Sequence, residues 1–192
     1  MNRILSSAVK VAGSLALIGG AVVAAAMPAA AAPPPTKAWG ISAGGFIHIN
    51  PVAQATIFNT PQVASSFIYP GFVTTGGILD RASATKAYSQ VGSPKVYLFS
   101  QVDQLNADNA MSSCRIGFFG TFGDATIQNG SIVITGEPSI PLIRNPAPNT
   151  HIFLPGITVT LNRQTVSGGI RTVTAIYLSG FGQTLSIGVS RC

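Results

Sequence analysis

Short runs of β-branched and apolar residues, separated by turn residues about every ten positions, make up the chain after residue 38. Residues 157–162 alternate strictly between apolar and polar side chains. Because successive side chains of a strand point to opposite faces, this run predicts a strand with Ile157, Val159 and Leu161 buried and the intervening residues in water.

Two turns connect such runs. Asn129-Gly130 lies between residues 125–128 and 131–134 and predicts a hairpin with a type I′ turn, because both residues accept positive φ. Ser167-Gly168-Gly169 predicts a second hairpin, which joins residues 157–162 to residues 171–178. The other predicted strands lie at residues 41–49, 64–74, 95–102, 111–119 and 184–189.

The pattern indicates an all-β protein. Only part of residues 102–111 has helical periodicity, and that stretch is short. Since no strands alternate with helices, we expect a two-sheet antiparallel β-sandwich.

The N-terminal segment has the layout of a secretory signal peptide. It begins with Arg3 and Lys10, continues through an apolar stretch at residues 11–26 and ends in small residues before Pro33. We expect cleavage after the alanines at 29–31, or alternatively after those at 24–26. No cysteine adjoins either site, so we expect no lipid anchor.

The organisation that follows is a signal peptide at 1–31, a Pro-rich leader at 32–38 and one β-sandwich domain at 39–192. The expected localisation is secreted, either extracellular or associated with the cell envelope. An uncleaved membrane helix is the alternative, since about 20 apolar residues can span a bilayer. We expect contact with a membrane only through that uncleaved segment.

The charge of the exported chain is low. Removing Arg3 and Lys10 leaves nine of the 11 basic residues against five acidic ones, a net charge of about +4. The nine cations are scattered singly, with no run that would follow a phosphate backbone. We therefore expect no nucleic-acid partner, and envelope polymers or another protein are the partners that remain.

Cys114 and Cys192 are the two cysteines of the chain. In an oxidising compartment they predict one disulfide, and closing so long a loop stabilises by about 4 kcal/mol in the chain-entropy model. The alternative, a nucleophilic or metal-ligating cysteine, has no histidine beside it in sequence.

One literal catalytic motif is present. Gly40-Ile41-Ser42-Ala43-Gly44 matches the nucleophile elbow, in which a strand precedes the serine and a helix follows it. The residues that follow, from Gly45 to Ile49, indicate a strand, so we expect no serine hydrolase.

The remaining candidates for chemistry are isolated. His48 and His151 alternate with apolar neighbours and lack a third metal ligand. Residues 103–109 are rich in oxygen ligands but lack the EF-hand spacing, so a solvated turn or strand edge is expected rather than a calcium site. We expect no cofactor. The five carboxylates are each isolated in sequence: Asp80, Asp103, Asp108, Asp124 and Glu137.

Aromatic residues could line a carbohydrate or ligand surface, although in a domain of this size they are more often core. We expect core positions for them. They are Trp39, Phe67, Tyr69, Phe72, Phe118, Phe119 and Phe122.

Several stretches resemble the secreted actinobacterial proteins of the choice-of-anchor P family. They are LNADNAMSSC (105–114), PNTHI (148–152), LPGITVTLNRQ (154–164), VTAI (173–176) and IGV (187–189). The resemblance implies an exported β-rich envelope domain of undefined activity. The family's name refers to variable C-terminal sorting tails; this sequence stops at Cys192 without one, so we expect release or non-covalent retention.

Three functions follow as hypotheses. The first is a non-enzymatic exported domain with a structural or contact role in the cell envelope or extracellular space. The second is a secreted module that binds a small ligand, a glycan or a protein, which predicts an exposed aromatic patch or a pocket. The third, a hydrolase, requires Ser42 within hydrogen-bond reach of His48 or His151, or two facing carboxylates.

Overall fold

A computed structural model describes residues 35–100 and 102–192, which form eighteen β-strands and no helix. The predicted signal peptide and residues 32–34 of the predicted leader lie outside the described residues. The strands are β1 (Lys37–Gly44), β2 (Ile49–Val52), β3 (Ala55–Thr56), β4 (Gln62–Ala64), β5 (Phe67–Tyr69), β6 (Val73–Thr75), β7 (Ile78–Ala82), β8 (Lys86–Gly92), β9 (Lys95–Tyr97), β10 (Gln104–Asn106), β11 (Asn109–Gly117), β12 (Gly120–Gln128), β13 (Ser131–Val133), β14 (Ile140–Pro141), β15 (Thr150–Leu154), β16 (Ile157–Ser167), β17 (Ile170–Gly180) and β18 (Gln183–Arg191).

The first layer is one antiparallel sheet in the order β15-β16-β17-β18-β1-β2, with β3 also pairing with β1. β1 begins at Lys37, inside the predicted leader, because its first residues pair with the end of β18. Thr36 is fully buried, and its hydroxyl donates a hydrogen bond to the carbonyl of Ser83. The ordered domain therefore starts before residue 39.

The second layer consists of two antiparallel sheets that lie end to end. One has the order β12-β11-β8-β7-β4, and the other has the order β14-β13-β10-β9-β6-β5. Apart from the edge strand β14, each strand of one sheet continues along the chain into a strand of the other, and the order matches. Backbone bonds such as Ser93 N–H to Asp108 O (2.7 Å) join the two halves. The predicted antiparallel two-layer sandwich is thus confirmed, with the second layer interrupted in the middle.

One core fills the space between the layers. It draws residues from both halves of the second layer, including Ile78, Val91 and Leu105, and from the first layer, including Leu161 and Ile187. This continuity is what makes residues 37–192 a single folded unit. None of the described residues belongs to a helix long and apolar enough to cross a bilayer.

The two predicted hairpins have different outcomes. The turn at Gly168-Gly169, where both residues have positive φ, joins β16 to β17 as predicted. The prediction of a hairpin at Asn129-Gly130 is wrong, because the two flanking strands do not pair with each other. Instead β12 pairs with β11 over nine positions, and β13 pairs with β10 and β14. Asn129 alone has positive φ, and the turn carries the chain from one half of the second layer to the other.

Other predicted strands were too long. Residues 45–48 form a loop between β1 and β2, and residues 64–74 divide among three short strands. Of the described residues in the stretch 95–102, which leave out residue 101, only 95–97 are extended. Residues 102–111, the one weakly helical stretch, supply β10 and the start of β11. Glycine turns and bends end the strands where composition alone suggested continuation.

An irregularity crosses four strands of the first sheet on one line. The register leaves Asn162 opposite Ala175, Ala175 opposite Gly188 and Gly188 opposite Gly40. Asn162 and Gly188 have φ values of 49° and 64°, which are left-handed conformations. A Cβ on Gly188 would lie 3.2 Å from the carbonyl oxygen of Ala110 in the opposite layer. The two layers therefore approach closely along this line.

The irregularity exchanges the faces of the strands. In β18, Leu185 and Ile187 lie in the core before Gly188, whereas Ser190 and Cys192 are the buried residues of the same face after it. Uninterrupted alternation would have pointed Cys192 outwards. Instead it forms the predicted disulfide with Cys114 of β11, and the two Cα atoms are 5.8 Å apart.

Candidate binding cleft

The catalytic motif at residues 40–44 does not form a nucleophile elbow. Ser42 lies within β1, and its hydroxyl oxygen accepts a hydrogen bond from the indole N–H of Trp39 at 3.0 Å. His48 contacts Asn50 through its ring Nε2 (3.1 Å), and His151 contacts the hydroxyl of Thr160 through Nδ1 (3.0 Å). Ser42 is thus hydrogen-bonded to an indole, and the two histidines are hydrogen-bonded to other residues. The arrangement that a hydrolase with Ser42 as nucleophile requires is therefore not formed.

Asp103 and Asp108 have different hydrogen-bond partners. Asp103 accepts hydrogen bonds from the hydroxyl of Ser100 (2.8 Å) and the backbone N–H of Thr135 (2.8 Å), which lower its pKa. Asp108 accepts from the side-chain amide of Asn129 (2.6 Å). Asp103 directly precedes β10, and Asp108 lies between β10 and β11. In the part of the chain that the structure describes, no three His, Cys, Asp or Glu side chains are grouped to hold a metal ion.

Asp80 differs from the other carboxylates because it is 0% exposed between the layers. Register places Asp80, Ser89 and Ser112 in one row across β7, β8 and β11. Ser89 donates to the carbonyl of Trp39 (3.1 Å), and neither carboxyl oxygen of Asp80 makes a well-formed hydrogen bond. Burial raises the pKa of Asp80 to about 7, an effect that the nearby Ser89 hydroxyl and Gly40 amide only partly offset.

The expected core positions of the aromatic residues are partly wrong. Phe67 and Phe72 pack against the core. Trp39 is only half-buried, and Phe118 and Phe119 are 96% and 90% exposed because they form the turn between β11 and β12. Alternation does not govern a turn, so apolar character there does not imply burial.

An apolar cleft of about 270 Å³ opens at the end of the sandwich where β17 turns into β18. It lies between the first layer and the half of the second layer that contains β9. The lining contains no charged side chain. The residues are Phe46, Ile47, Phe72, Val96, Tyr97, Leu98, Ile157, Leu178, Ser179, Gly180, Phe181, Gln183, Thr184 and Leu185.

Two phenylalanines form the rim. Phe46 is 91% exposed and Phe181 is 65% exposed. The ring of Phe181 lies over Gly156, where a Cβ would come within 2.3 Å of it, and the ring of Phe46 lies over Gly182. Phe99 meets Phe181 edge to face, with the ring centroids 6.5 Å apart. Glycine at these turns leaves room for the rings to border the opening.

Gln183 fixes the loop that carries Phe46. Its side-chain oxygen accepts from the backbone N–H of Ile47 (2.9 Å), and its side-chain amide donates to the carbonyl of Ile47 (2.8 Å). Thr184 adds a hydrogen bond to the carbonyl of Gly44 (3.2 Å). Three bonds therefore hold this side of the cleft, so the opening is formed in advance of any ligand.

The sequence interpretation did not identify Phe46 or Phe181. The signal that could have found them is phenylalanine next to glycine, as in Gly45-Phe46 and Gly180-Phe181-Gly182. Glycine marks a turn, and an aromatic ring on a turn stays near the surface. A comparison of the chain with protein-family models, curated proteins and solved structures finds no match in any of the three.

Proposed function

We propose that this protein is an exported, non-enzymatic β-domain that acts by contact, and that its contact is the binding of an uncharged apolar ligand in the cleft. The observation that carries the proposal is the cleft itself, with its preformed walls, uncharged lining and exposed phenylalanine rim. Monomeric proteins seldom expose several large apolar side chains together without a binding role.

The size and chemistry of the cleft narrow the ligand. Its volume of about 270 Å³ lies just below the range of about 300–1,000 Å³ that is usual for small-molecule pockets. A small apolar molecule or the end of an acyl chain fits that space. Burying a charge among these side chains would be costly, because no lining residue offers an opposite charge.

Export is part of the same proposal. The signal-peptide layout and the resemblance to choice-of-anchor P proteins support it, and the disulfide is compatible with an oxidising compartment. The residues that the structure describes add no membrane-spanning helix.

Displacement of a neutral solvatochromic dye tests the cleft. We expect Nile red to gain fluorescence with the exported protein and 1-alkanols to displace it, with affinity rising with each added CH₂. Leu98→Trp enlarges a side chain that lines the cleft and packs against the core, and should abolish the signal. Phe46→Ser and Phe181→Asn should weaken it, and asparagine suits the positive φ of 50° at position 181.

Phe153→Ser is the matched control, because Phe153 is 77% exposed but does not line the cleft. It should bind the dye as the parent does. If Leu98→Trp keeps the parent's displaceable signal while its thermal unfolding is unchanged, the ligand does not occupy the cleft and the proposal fails.

A further inference from the structure

Cations that are scattered in sequence meet at the other end of the sandwich. Lys37 lies directly opposite Arg191 on β1 and β18, and Lys86 lies directly opposite Arg115 on β8 and β11. Arg171 stands at the start of β17 at the same end, where its backbone pairs with Cys192. Five of the nine cations of the domain are therefore gathered here. The sequence does not show this grouping, because no two of these residues are adjacent in the chain.

The two cross-strand pairs carry like charges. Opposite charges at such positions stabilise a sheet, and like charges directly opposite each other destabilise it. Asp124, on the neighbouring strand, lines one surface cavity with Lys86 and Arg115, so it offsets one of the five positive charges at this end and four remain. The arrangement opposes folding, so an anion bound at this end is the partner that would offset it.

The disulfide brings the two pairs together. Arg115 follows Cys114, and Arg191 precedes Cys192, whose Cα lies 5.8 Å from that of Cys114. Consecutive Cα atoms are about 3.8 Å apart, so the Cα atoms of Arg115 and Arg191 lie within about 13 Å of each other. Since both cysteines face inwards, the arginines next to them point to opposite outer faces of the sandwich. A surface that meets the end of the sandwich therefore has one cationic pair on each side.

Phe118 and Phe119 project from this end. They are the two turn residues between Gly117 and Gly120, which pair across β11 and β12. Their rings pack edge to face with centroids 5.0 Å apart. Phe122 lies next to them on β12, and the guanidinium of Arg115 lies over its ring at 5.2 Å. An apolar apex thus extends from the end of the domain that carries the cations, and Arg115 lies at its base.

We propose that this end of the domain docks on a bilayer that contains anionic lipids, with Phe118 and Phe119 inserted at the level of the headgroups. Aromatic rings favour that interface, and nearby lysine and arginine side chains attract anionic headgroups. This contact is independent of the apolar segment at residues 11–26, and it departs from the expectation that a membrane is met only through that segment.

A soluble anionic polymer is the other partner with the required charge. Such a polymer would use the cations but would leave the two phenylalanine rings in water. A bilayer uses both features, and for this reason the geometry favours the bilayer.

The proposal also orients the cleft. β18 runs from Gln183, which lines the cleft, to Arg191 beside the cationic pairs. Nine extended residues span about 30 Å. The cleft therefore faces away from the membrane when the apex is inserted, so both contacts can form at once.

Depth-dependent quenching tests the insertion directly. In the exported protein, Phe118→Trp should be quenched by bromolipids in phosphatidylglycerol vesicles and should not be quenched in phosphatidylcholine vesicles. The quenching of Trp39 in the parent protein is subtracted. Phe153→Trp is the control and should show no added quenching, because Phe153 lies on β15, away from the apex. This readout reports the apex even if the N-terminal segment also meets the lipid.

Vesicle partitioning then separates the two partners. We expect Phe118→Ser and Phe119→Ser each to weaken binding to phosphatidylglycerol vesicles at least about tenfold, because burying one phenylalanine side chain is worth more than that factor. Neutralising Lys86 and Arg115 together should weaken it about twenty-fivefold, at about fivefold for each charge.

Two outcomes overturn the proposal. One is the absence of added quenching at position 118 in anionic vesicles. The other is binding to soluble polyphosphate that depends on Lys86 and Arg115 while the serine variants of the apex bind both polyphosphate and vesicles as the parent does. In that case the partner is a polymer and the rings have no part in the contact.

Discussion

The Asp80→Asn substitution probes the buried carboxylate between the two layers. Asp80 is 0% exposed, and its nearest polar neighbours are the hydroxyl of Ser89 and the amide of Gly40. Neither neighbour is a cation, so the carboxylate has no opposite charge to compensate for the loss of water. Asparagine has nearly the same shape and carries no charge at any pH.

The expected effect follows from the difference in pKa between the folded and unfolded states. The pKa of Asp80 is about 7 in the folded protein, against the ordinary aspartate value of 3.8 that applies to the unfolded chain. A difference of about three pKa units corresponds to about 4 kcal/mol. Because the folded state holds the proton more tightly, the free energy of unfolding is highest below pH 4, falls as the pH rises towards 7 and then levels off.

Asp103 acts in the opposite direction at lower pH. Its pKa is lowered by hydrogen bonds from Thr135 and Ser100, so the stability that it contributes is lost as the pH falls below about 4. Urea unfolding of the parent, measured with the disulfide intact, should therefore show a maximum near pH 4 to 5 and a decline towards pH 7.5.

Asp80→Asn should remove most of that decline and should be more stable than the parent at pH 7.5. Asp124→Asn is the control, because Asp124 is exposed on the same sheet and should keep the parent's profile. If the parent's unfolding free energy does not fall between pH 4.5 and 7.5, or if Asp80→Asn falls as steeply as the parent, the reasoning is refuted.

Two further predictions concern stability. Replacing Cys114 and Cys192 together by serine should lower the free energy of unfolding by about 4 kcal/mol, since the disulfide closes a loop of 78 residues; urea unfolding of the variant and of the reduced parent should agree, and a variant as stable as the oxidised parent contradicts the prediction. Gly188→Ala should cost about 1–3 kcal/mol, because its φ of 64° disfavours a side chain and a Cβ would press on the carbonyl of Ala110. Gly136→Ala separates the two causes, since Gly136 has φ of 85° and open space around it; equal losses in the two alanine variants would show that contact with Ala110 contributes nothing.

The sequence predicted the features that depend on local alternation. Ile157, Val159 and Leu161 are buried as expected, and the glycines after Ser167 form the turn that joins β16 to β17. The prediction that the other face of this strand is exposed to solvent was partly wrong, because Thr160 and Asn162 are also buried. Their burial depends on what covers the outer face of the sheet, which one strand's sequence does not contain.

Long-range pairing could not be inferred in the same way. Asn129-Gly130 has the composition of a hairpin turn, but the strand before it, β12, pairs with β11 and not with the strand that follows the turn. A turn sequence sets the conformation of two residues and not the partner of the strand that follows. The row through Asn162 and Gly188 is equally hidden, since its effect appears only when four strands lie side by side.

The candidate sites were hidden for a related reason. Scattered cations such as Lys37 and Arg191 become neighbours only through pairing between β1 and β18. Phenylalanine is usually a core residue, so Phe118 and Phe181 are expected in the core until their turns are located. Glycine beside each of these rings was the one local sign that they lie on turns.

Three features of this domain oppose its stability, and they differ in whether an external partner can reach them. Asp80 is buried without an opposite charge, Lys86 faces Arg115, and two phenylalanine rings stand in water. Local choices that conflict with a fold are expected where function requires them. The buried carboxylate does not line the apolar cleft, whereas the cations and the rings share one exposed end of the sandwich. Only the latter pair of features can be relieved by a single external partner, since one anionic bilayer neutralises the charges and covers the rings together. Because one partner can offset both the charges and the exposed rings, we assign contact with another surface to this end of the sandwich and not to the region of Asp80.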